Sequence, residues 1–81
     1  MMKLEFKPLA EKDLSGLSAA NQSRILQKVE MLQQGLTGDI KRLTNFTPEY
    51  RLRVGDYRIL FEIVESSIVI YRVLHRRDAY R

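Results

Sequence analysis

Cysteine is absent from this sequence, and histidine occurs once, at His75. Without cysteine no disulfide or thiolate metal site can form, and a single histidine argues against a metal site built from imidazoles. No apolar run approaches the roughly 20 residues that a membrane-spanning helix requires. The opening residues, MMKLEFKPLAEKD, lack the apolar stretch of a secretion signal. We therefore expect a cytoplasmic protein that holds no metal or other cofactor and enters no membrane.

Low-complexity tracts, internal repeats and linker-like segments are also missing. The chain has 81 residues, which is near the lower limit for a domain held together by a hydrophobic core alone. Its 44% apolar and 30% charged residues are typical of a folded protein rather than a disordered one. We expect residues 1–81 to form a single domain.

Positive charge is concentrated in the second half of the chain. Residues 1–40 carry five basic and five acidic side chains, so their formal charges cancel. Residues 41–81 carry nine basic side chains, eight of them arginine, against five acidic ones. Arginine suits bidentate contact with phosphate or carboxylate, and clustered basic charge favours a nucleic-acid or acidic-protein partner.

The periodicity of the apolar residues predicts the order β-α-α-β-β-β. The expected elements are a strand over 3–7, a short helix from Pro8 to Gly16, a helix over 19–34 with Ser18 as its N-cap, a loop over 36–48, and strands over 50–54, 57–64 and 68–75. We expect an α+β fold in which the first strand joins the edge of a small antiparallel sheet. The two N-terminal helices should pack on one face of that sheet.

Candidate functional side chains fall on and after the last three strands. Alternation along a strand puts Arg51 and Arg53 on one face, with Arg58 on the partner strand just past the Gly55-Asp56 turn. The last strand ends in a second group of polar and aromatic residues, namely His75, Arg76, Arg77 and Tyr80. We expect both groups to meet in one basic pocket on the face that no helix covers. Such a pocket could bind phosphates and stack a base of single-stranded RNA.

Each of these features also has a structural explanation. Arginines on a strand most often form a solvated face, and a histidine near a chain end is usually a polar surface group. Arg77 and Asp78 could make only a local ion pair. Arg72 is expected to pair with Glu62.

Two motifs, YRLRVGDYR at 50–58 and HRRDAYR at 75–81, resemble the RelE branch of the RelE/ParE toxin superfamily. The resemblance extends over essentially the whole chain. It implies the toxin of a type II toxin–antitoxin system, a ribosome-dependent endonuclease that cleaves messenger RNA in the ribosomal A site. In such toxins a 2′-hydroxyl attacks the adjoining phosphate, without a metal. It also implies a hetero-oligomer with an acidic, RelB-like antitoxin.

The resemblance suggests a role for each candidate residue. The family's basic catalytic positions match Arg51, Arg53, Arg58 and Arg76, its C-terminal aromatic matches Tyr80, and His75 matches the histidine of relatives with the HRR form. We expect the catalytic residues to be Arg58, His75, Arg76 and Tyr80, and the RNA-binding residues to be Arg51, Arg53 and Arg77. Some relatives have lysines where this chain has Arg51 and Arg53, and an arginine, which stays protonated at neutral pH, cannot act as a general base. An unperturbed histidine side chain has a pKa of about 6.5, near the working pH, so His75 is the expected proton-transfer residue.

Two other functions stay open at this point. The sister ParE-like branch of the superfamily inhibits DNA gyrase and cleaves nothing. A non-catalytic module that binds RNA or a partner protein would carry the same basic residues.

Overall fold

The computed structural model describes residues 2–43 and 47–79. The elements in chain order are β1 (Lys3–Phe6), α1 (Pro8–Ser15), α2 (Ala19–Met31), a 3₁₀ turn (Leu32–Gln34), β2 (Asp39–Arg42), β3 (Tyr50–Val54), β4 (Tyr57–Val64), β5 (Ser67–His75) and α3 (Arg76–Ala79). The strands form one sheet in the order β1-β5-β4-β3-β2. The expected α+β class is confirmed, with both N-terminal helices preceding the three-stranded meander.

Two details of the sheet differ from the prediction. The first strand pairs with β5 in the parallel direction, with Leu4 opposite Ile68, so the sheet is mixed rather than antiparallel. The expected loop contains an additional edge strand, β2, whose Ile40 lies opposite Leu52. β2 has one apolar residue between charged ones, and such a short alternation does not separate an edge strand from a loop.

The ends of α1 and α2 are set by the residue types found there. Pro8 is the first residue of α1, where its missing N–H has no helical partner to lose. The Ser18 hydroxyl accepts a hydrogen bond from the N–H of Asn21 at 3.2 Å and caps α2, as predicted. α2 ends at Met31 and tightens into the 3₁₀ turn, which stops at Gly35. No helix within 2–43 and 47–79 is long and apolar enough to cross a membrane.

The hydrophobic core lies between the helices and one face of the sheet. The largest fully buried side chains are Ile25, Val29 and Leu32 from the α2 segment and Leu52, Ile59, Phe61, Ile68 and Ile70 from the sheet. Tyr50 stacks on Phe61 with ring centroids 5.3 Å apart. Full burial of such a side chain contributes about 1.5–3 kcal/mol, so this layer supplies the main favourable term that offsets the entropy lost on folding.

Asp13 of α1 takes the place of a strand partner for the second half of β5. β1 pairs only with residues 67–70, which leaves the following part of β5 without a strand on that side. The Asp13 carboxylate accepts the N–H of Val73 at 3.0 Å and the Nε–H of Arg72 at 2.8 Å. The predicted pairing of Arg72 with Glu62 is therefore wrong. Glu62 instead accepts a hydrogen bond from the Tyr71 hydroxyl at 3.3 Å.

The environment of Asp13 lowers its pKa. Burial by itself raises the pKa of this carboxyl, but the hydrogen bonds from Arg72 and Val73, together with the Arg72 charge, outweigh burial and bring the pKa below its usual value of 3.8. A carboxyl whose pKa is lowered on folding stabilises the fold above its unfolded pKa. That stabilisation disappears as the pH falls through the folded pKa.

We expect Asp13→Ala to lower the free energy of unfolding by about 2 kcal/mol near pH 7, because it removes charge-assisted hydrogen bonds and leaves the Val73 N–H without its acceptor. Urea denaturation between pH 2 and pH 7 measures the effect. The difference from the unsubstituted chain should shrink as the pH falls below the pKa of about 3.9 that an aspartate has in the unfolded chain, and should vanish below the lowered pKa of the folded Asp13. Glu11→Ala, an exposed carboxylate on the same helix, should cost about 0.5 kcal/mol or less. A difference that grows on acidification would contradict this account.

Candidate functional site

Strand alternation places three arginines on the sheet face that points away from α1 and α2. In β3, Leu52 and Val54 are buried in the core, so Arg51 and Arg53 project from the opposite face. In β4, Arg58 precedes the buried Ile59 and lies directly across from Arg53. We call the surface that carries Arg51, Arg53 and Arg58 the arginine face. The structure thus brings these three predicted residues together.

Arg58 is held against the turn between β3 and β4. Only 7% of the residue is exposed, and its Nη1 donates to the carbonyl oxygens of Gly55 at 2.9 Å and Tyr57 at 3.1 Å. These bonds fix one side of the guanidinium and thereby its orientation. A guanidinium that is already oriented loses less entropy when it binds an anion than a freely rotating one.

Gly55 gives this turn its shape. Its φ of 58° lies in the left-handed region, which residues other than glycine rarely adopt. The guanidinium of Arg24, from α2, occupies the space where a Cβ at position 55 would lie. Glycine at position 55 therefore allows both the left-handed backbone of the turn and the close approach of Arg24.

The carboxylate of Asp39, a residue that the sequence does not single out, lies beside Arg51 and Arg53. Its carboxylate oxygens are 3.7 Å from Nη2 of Arg51 and 3.8 Å from Nε of Arg53. The side chain of Arg51 is 15% exposed, whereas those of Arg53 and Asp39 are both 56% exposed. At these distances and exposures the ion pairs are weak, so Arg53 stays accessible to an external anion. The sequence does not predict a role for Asp39 because the residue lies on β2, a strand that its short alternation does not identify.

His75 lies on the opposite side of the sheet, contrary to the expected single pocket. It is paired with Tyr57, and the two rings meet edge to face with centroids 5.6 Å apart and an interplanar angle of 81°. Tyr57 packs against the core, and its hydroxyl accepts a hydrogen bond from Nδ2 of Asn21 in α2 at 3.4 Å. The imidazole is therefore on the face that the helices cover.

A β-bulge explains this placement. Leu60 lies opposite Arg72 and Phe61 opposite Ile70, so Tyr71 is an extra residue in β5. One extra residue reverses the direction of every side chain that follows it in the strand. With uninterrupted alternation from Ile70, His75 would project from the arginine face. The bulge sends it to the other face and puts Leu74 beside Arg58 instead.

The residues after His75 divide between two places. The N–H of Arg76 donates to the carbonyl oxygen of Asp56 at 2.7 Å, which ties the start of α3 to the same turn that holds Arg58. Arg77 instead lines a groove of about 360 Å³ with Asp13, Tyr57 and His75. Tyr80, the predicted aromatic of the site, lies outside the described residues.

The arginine face is suited to binding and stabilising an anion. Guanidinium groups remain charged at any physiological pH and match the geometry of phosphate oxygens, but they cannot accept a proton. Within residues 2–43 and 47–79, no cluster of three histidine, aspartate or glutamate side chains is arranged to hold a metal ion. The three guanidinium groups therefore offer charge stabilisation rather than proton transfer.

Comparison with known proteins identifies relatives along the whole chain. Residues 4–80 match the family model described as ParE toxin of type II toxin-antitoxin system, parDE. Toxin RelE3 of Methanocaldococcus jannaschii is 36% identical over 98% of this chain and 96% of its own length. Solved structures of the RelB-RelE antitoxin-toxin complex from Methanococcus jannaschii and of the toxin-antitoxin complex RelBE2 from Mycobacterium tuberculosis are also similar. The former has a TM-score of 0.79 at 34% identity, covering 94% of both chains, and the latter 0.78 at 25% identity, covering 93% and 98%.

We expect Gly55→Ala to lower the free energy of unfolding by about 1–2 kcal/mol, because alanine is disfavoured at positive φ and its Cβ displaces Arg24. Gly16→Ala is the matched control. Gly16 has an ordinary helical φ of −81° and room for a methyl group, so this substitution should be neutral or slightly stabilising. Urea denaturation of both variants measures the difference. Equal effects of the two substitutions would show that the turn does not require its left-handed residue.

Proposed function

Because the chain belongs to the RelE/ParE superfamily of toxins from type II toxin–antitoxin systems, we propose that it is a ribosome-dependent endoribonuclease. It enters the ribosomal A site and cleaves the messenger RNA there. The RelE-type relatives support this branch of the superfamily over the sister branch. The observation that carries the proposal is the arginine face, where Arg51, Arg53 and Arg58 project together from two neighbouring strands.

In the proposed reaction the 2′-hydroxyl oxygen of one nucleotide forms a bond to the adjoining phosphorus, and the bond from phosphorus to the 5′-oxygen breaks. The products are a 2′,3′-cyclic phosphate and a free 5′-hydroxyl. Arg58, oriented by the turn carbonyls, and Arg76, which begins α3 beside the same turn, contact the scissile phosphate. They stabilise the negative charge that builds on its non-bridging oxygens.

The remaining candidates position the RNA strand. Arg53 and Arg51 lie further along the same face, beside Asp39, and contact flanking phosphates. Tyr80 stacks on a base or orients the 2′-hydroxyl, in keeping with the family resemblance. The ribosome aligns the message for in-line attack, and such alignment alone can contribute several kcal/mol.

The two protons of this reaction require carriers other than arginine. The 2′-hydroxyl loses a proton and the 5′-oxygen gains one, while a guanidinium stays protonated throughout. The imidazole of His75 lies against Tyr57 on the covered face. We therefore assign both transfers to water or to groups of the ribosome, with this chain supplying charge stabilisation and alignment.

A cognate antitoxin would neutralise this activity. The relatives of known structure include complexes of toxin with antitoxin. A positively charged face favours an acidic partner segment, and we propose that such a segment covers the arginine face in a hetero-oligomer.

Gyrase inhibition is the second candidate function, because the matching family model is described as ParE toxin. In that function the arginine face would bind a protein surface and no RNA would be cut. A supercoiling assay beside a translation assay separates the two functions.

We expect Arg53→Gln to lower single-turnover cleavage of ribosome-bound message at least tenfold, since it removes one phosphate contact from an exposed position. Lys28→Gln is the matched control. It removes the same charge from an exposed position on α2 and should leave the rate within about twofold. Arg58→Lys, which keeps the charge and loses the bidentate geometry, should reduce the rate further than Arg53→Gln.

The same preparations are tested for supercoiling inhibition. Cleavage that is in phase with codons and sensitive to Arg53→Gln supports the nuclease. Inhibition of gyrase without cut RNA supports the second function instead. RNA affinity that depends on salt, with no cut products and no gyrase effect, would indicate a non-catalytic binding module and contradict both.

A further inference from the structure

His75 ends β5 and immediately precedes the short helix α3. We propose that His75 is the N-cap of α3 and acts as a positioning residue for Arg76, rather than as a carrier of protons. The capping interaction stands on geometry alone. Its consequence for cleavage rests on the proposed function, in which Arg76 contacts the scissile phosphate.

The first N–H groups of a helix have no partner within the helix and need other acceptors. In α3, the first of them belongs to Arg76 and donates to the carbonyl oxygen of Asp56 at 2.7 Å. The second belongs to Arg77 and donates to Nδ1 of His75 at 3.3 Å. Acceptance of the second N–H by the side chain before the helix is the arrangement that aspartate, asparagine and serine make at N-caps. His75 provides the same acceptor with an imidazole nitrogen.

The ring of His75 is held in place for this task. Its edge-to-face contact with Tyr57 fixes one side, and Tyr57 is itself anchored by the core and by Asn21. A ring that accepts at Nδ1 and is neutral carries its proton on Nε2. The imidazole therefore has a defined orientation and a defined hydrogen-bonding role without any contact with the arginine face.

α3 needs these contacts because it is very short. Four residues cannot form a stable helix alone, since the first turn fixes several dihedral angles in exchange for few hydrogen bonds. Loss of the Nδ1 acceptor would leave Asp56 as the only described acceptor outside α3 for its first N–H groups. The position of the Arg76 guanidinium relative to Arg58 would then be poorly defined, and cleavage would slow although no reacting group had been removed.

Substitutions at position 75 can separate the capping hydrogen bond from the ability of the imidazole to carry a proton. Asparagine can accept the Arg77 N–H but cannot carry a proton at neutral pH, whereas phenylalanine keeps the contact with Tyr57 and cannot accept. Alanine does neither. Lys28→Ala serves as the control for handling and folding, since Lys28 is exposed on α2.

Two readouts are measured on the full chain. Amide hydrogen exchange of Arg77, followed by NMR, reports the cap without reference to function. Single-turnover cleavage of message on the ribosome reports the consequence. We expect His75→Asn to retain the exchange protection of Arg77 and to cleave within about threefold of the unsubstituted chain. His75→Phe and His75→Ala should lose about fivefold in protection, the factor expected for a typical cap, and at least as much in rate.

The result that would overturn the proposal is equally specific. If His75→Asn lost cleavage as fully as His75→Ala while Arg77 stayed protected, the imidazole itself would be required. If the Arg77 amide kept its exchange protection in His75→Ala, His75 would not be the N-cap of α3. If the unsubstituted chain cleaves nothing, the proposed function fails, and the exchange series still confirms or overturns the cap.

Discussion

Two consecutive backbone carbonyls, those of Gly55 and Asp56, hold the candidate site together. The first accepts Nη1 of Arg58, and the second accepts the N–H of Arg76 at the start of α3. Two arginines that are 18 positions apart in the sequence are thereby fixed to one two-residue turn. Because the turn depends on the left-handed conformation of Gly55, a local backbone requirement determines how a positively charged surface is built.

The bulge at Tyr71 is the second constraint on function. It separates the arginines from the imidazole by reversing the side-chain direction of the last residues of β5. The arginine face consequently presents permanent positive charge, and the covered face holds the only histidine in a structural contact with Tyr57. In the proposed reaction, such a surface leaves both proton transfers to water or to groups of the ribosome.

The elements with clear periodicity could be predicted from the sequence. The bounds of β3 and β4 follow from strict alternation on either side of a Gly-Asp turn, and Ser18 was identified as a cap by its residue type and position. The grouping of Arg51, Arg53 and Arg58 follows from the same alternation. The strand β2 could not be predicted, because a single apolar residue among charged ones carries little information about secondary structure.

The predicted placement of His75 and the predicted partner of Arg72 are wrong for the same physical reason. Strand parity is a local property, and along β5 it changes at the position where the ladder gains a residue. No residue type marks the bulge, since tyrosine is ordinary in a strand. The partner of Arg72 likewise depends on where β1 ends, because Asp13 can reach β5 only beyond the last residue pair of the two parallel strands. Both features are set by tertiary contacts rather than by the local sequence.

The arginine face is the surface that we propose contacts the phosphodiester. The most direct measurement is a crystal structure of the chain with a dinucleotide whose 2′-hydroxyl is methylated and which therefore cannot be cleaved. We expect phosphate oxygens within hydrogen-bonding distance of Arg53 and Arg58, with the His75 ring still against Tyr57. A phosphate bound beside His75 and Arg77 on the covered face, with the arginine face empty, would contradict it.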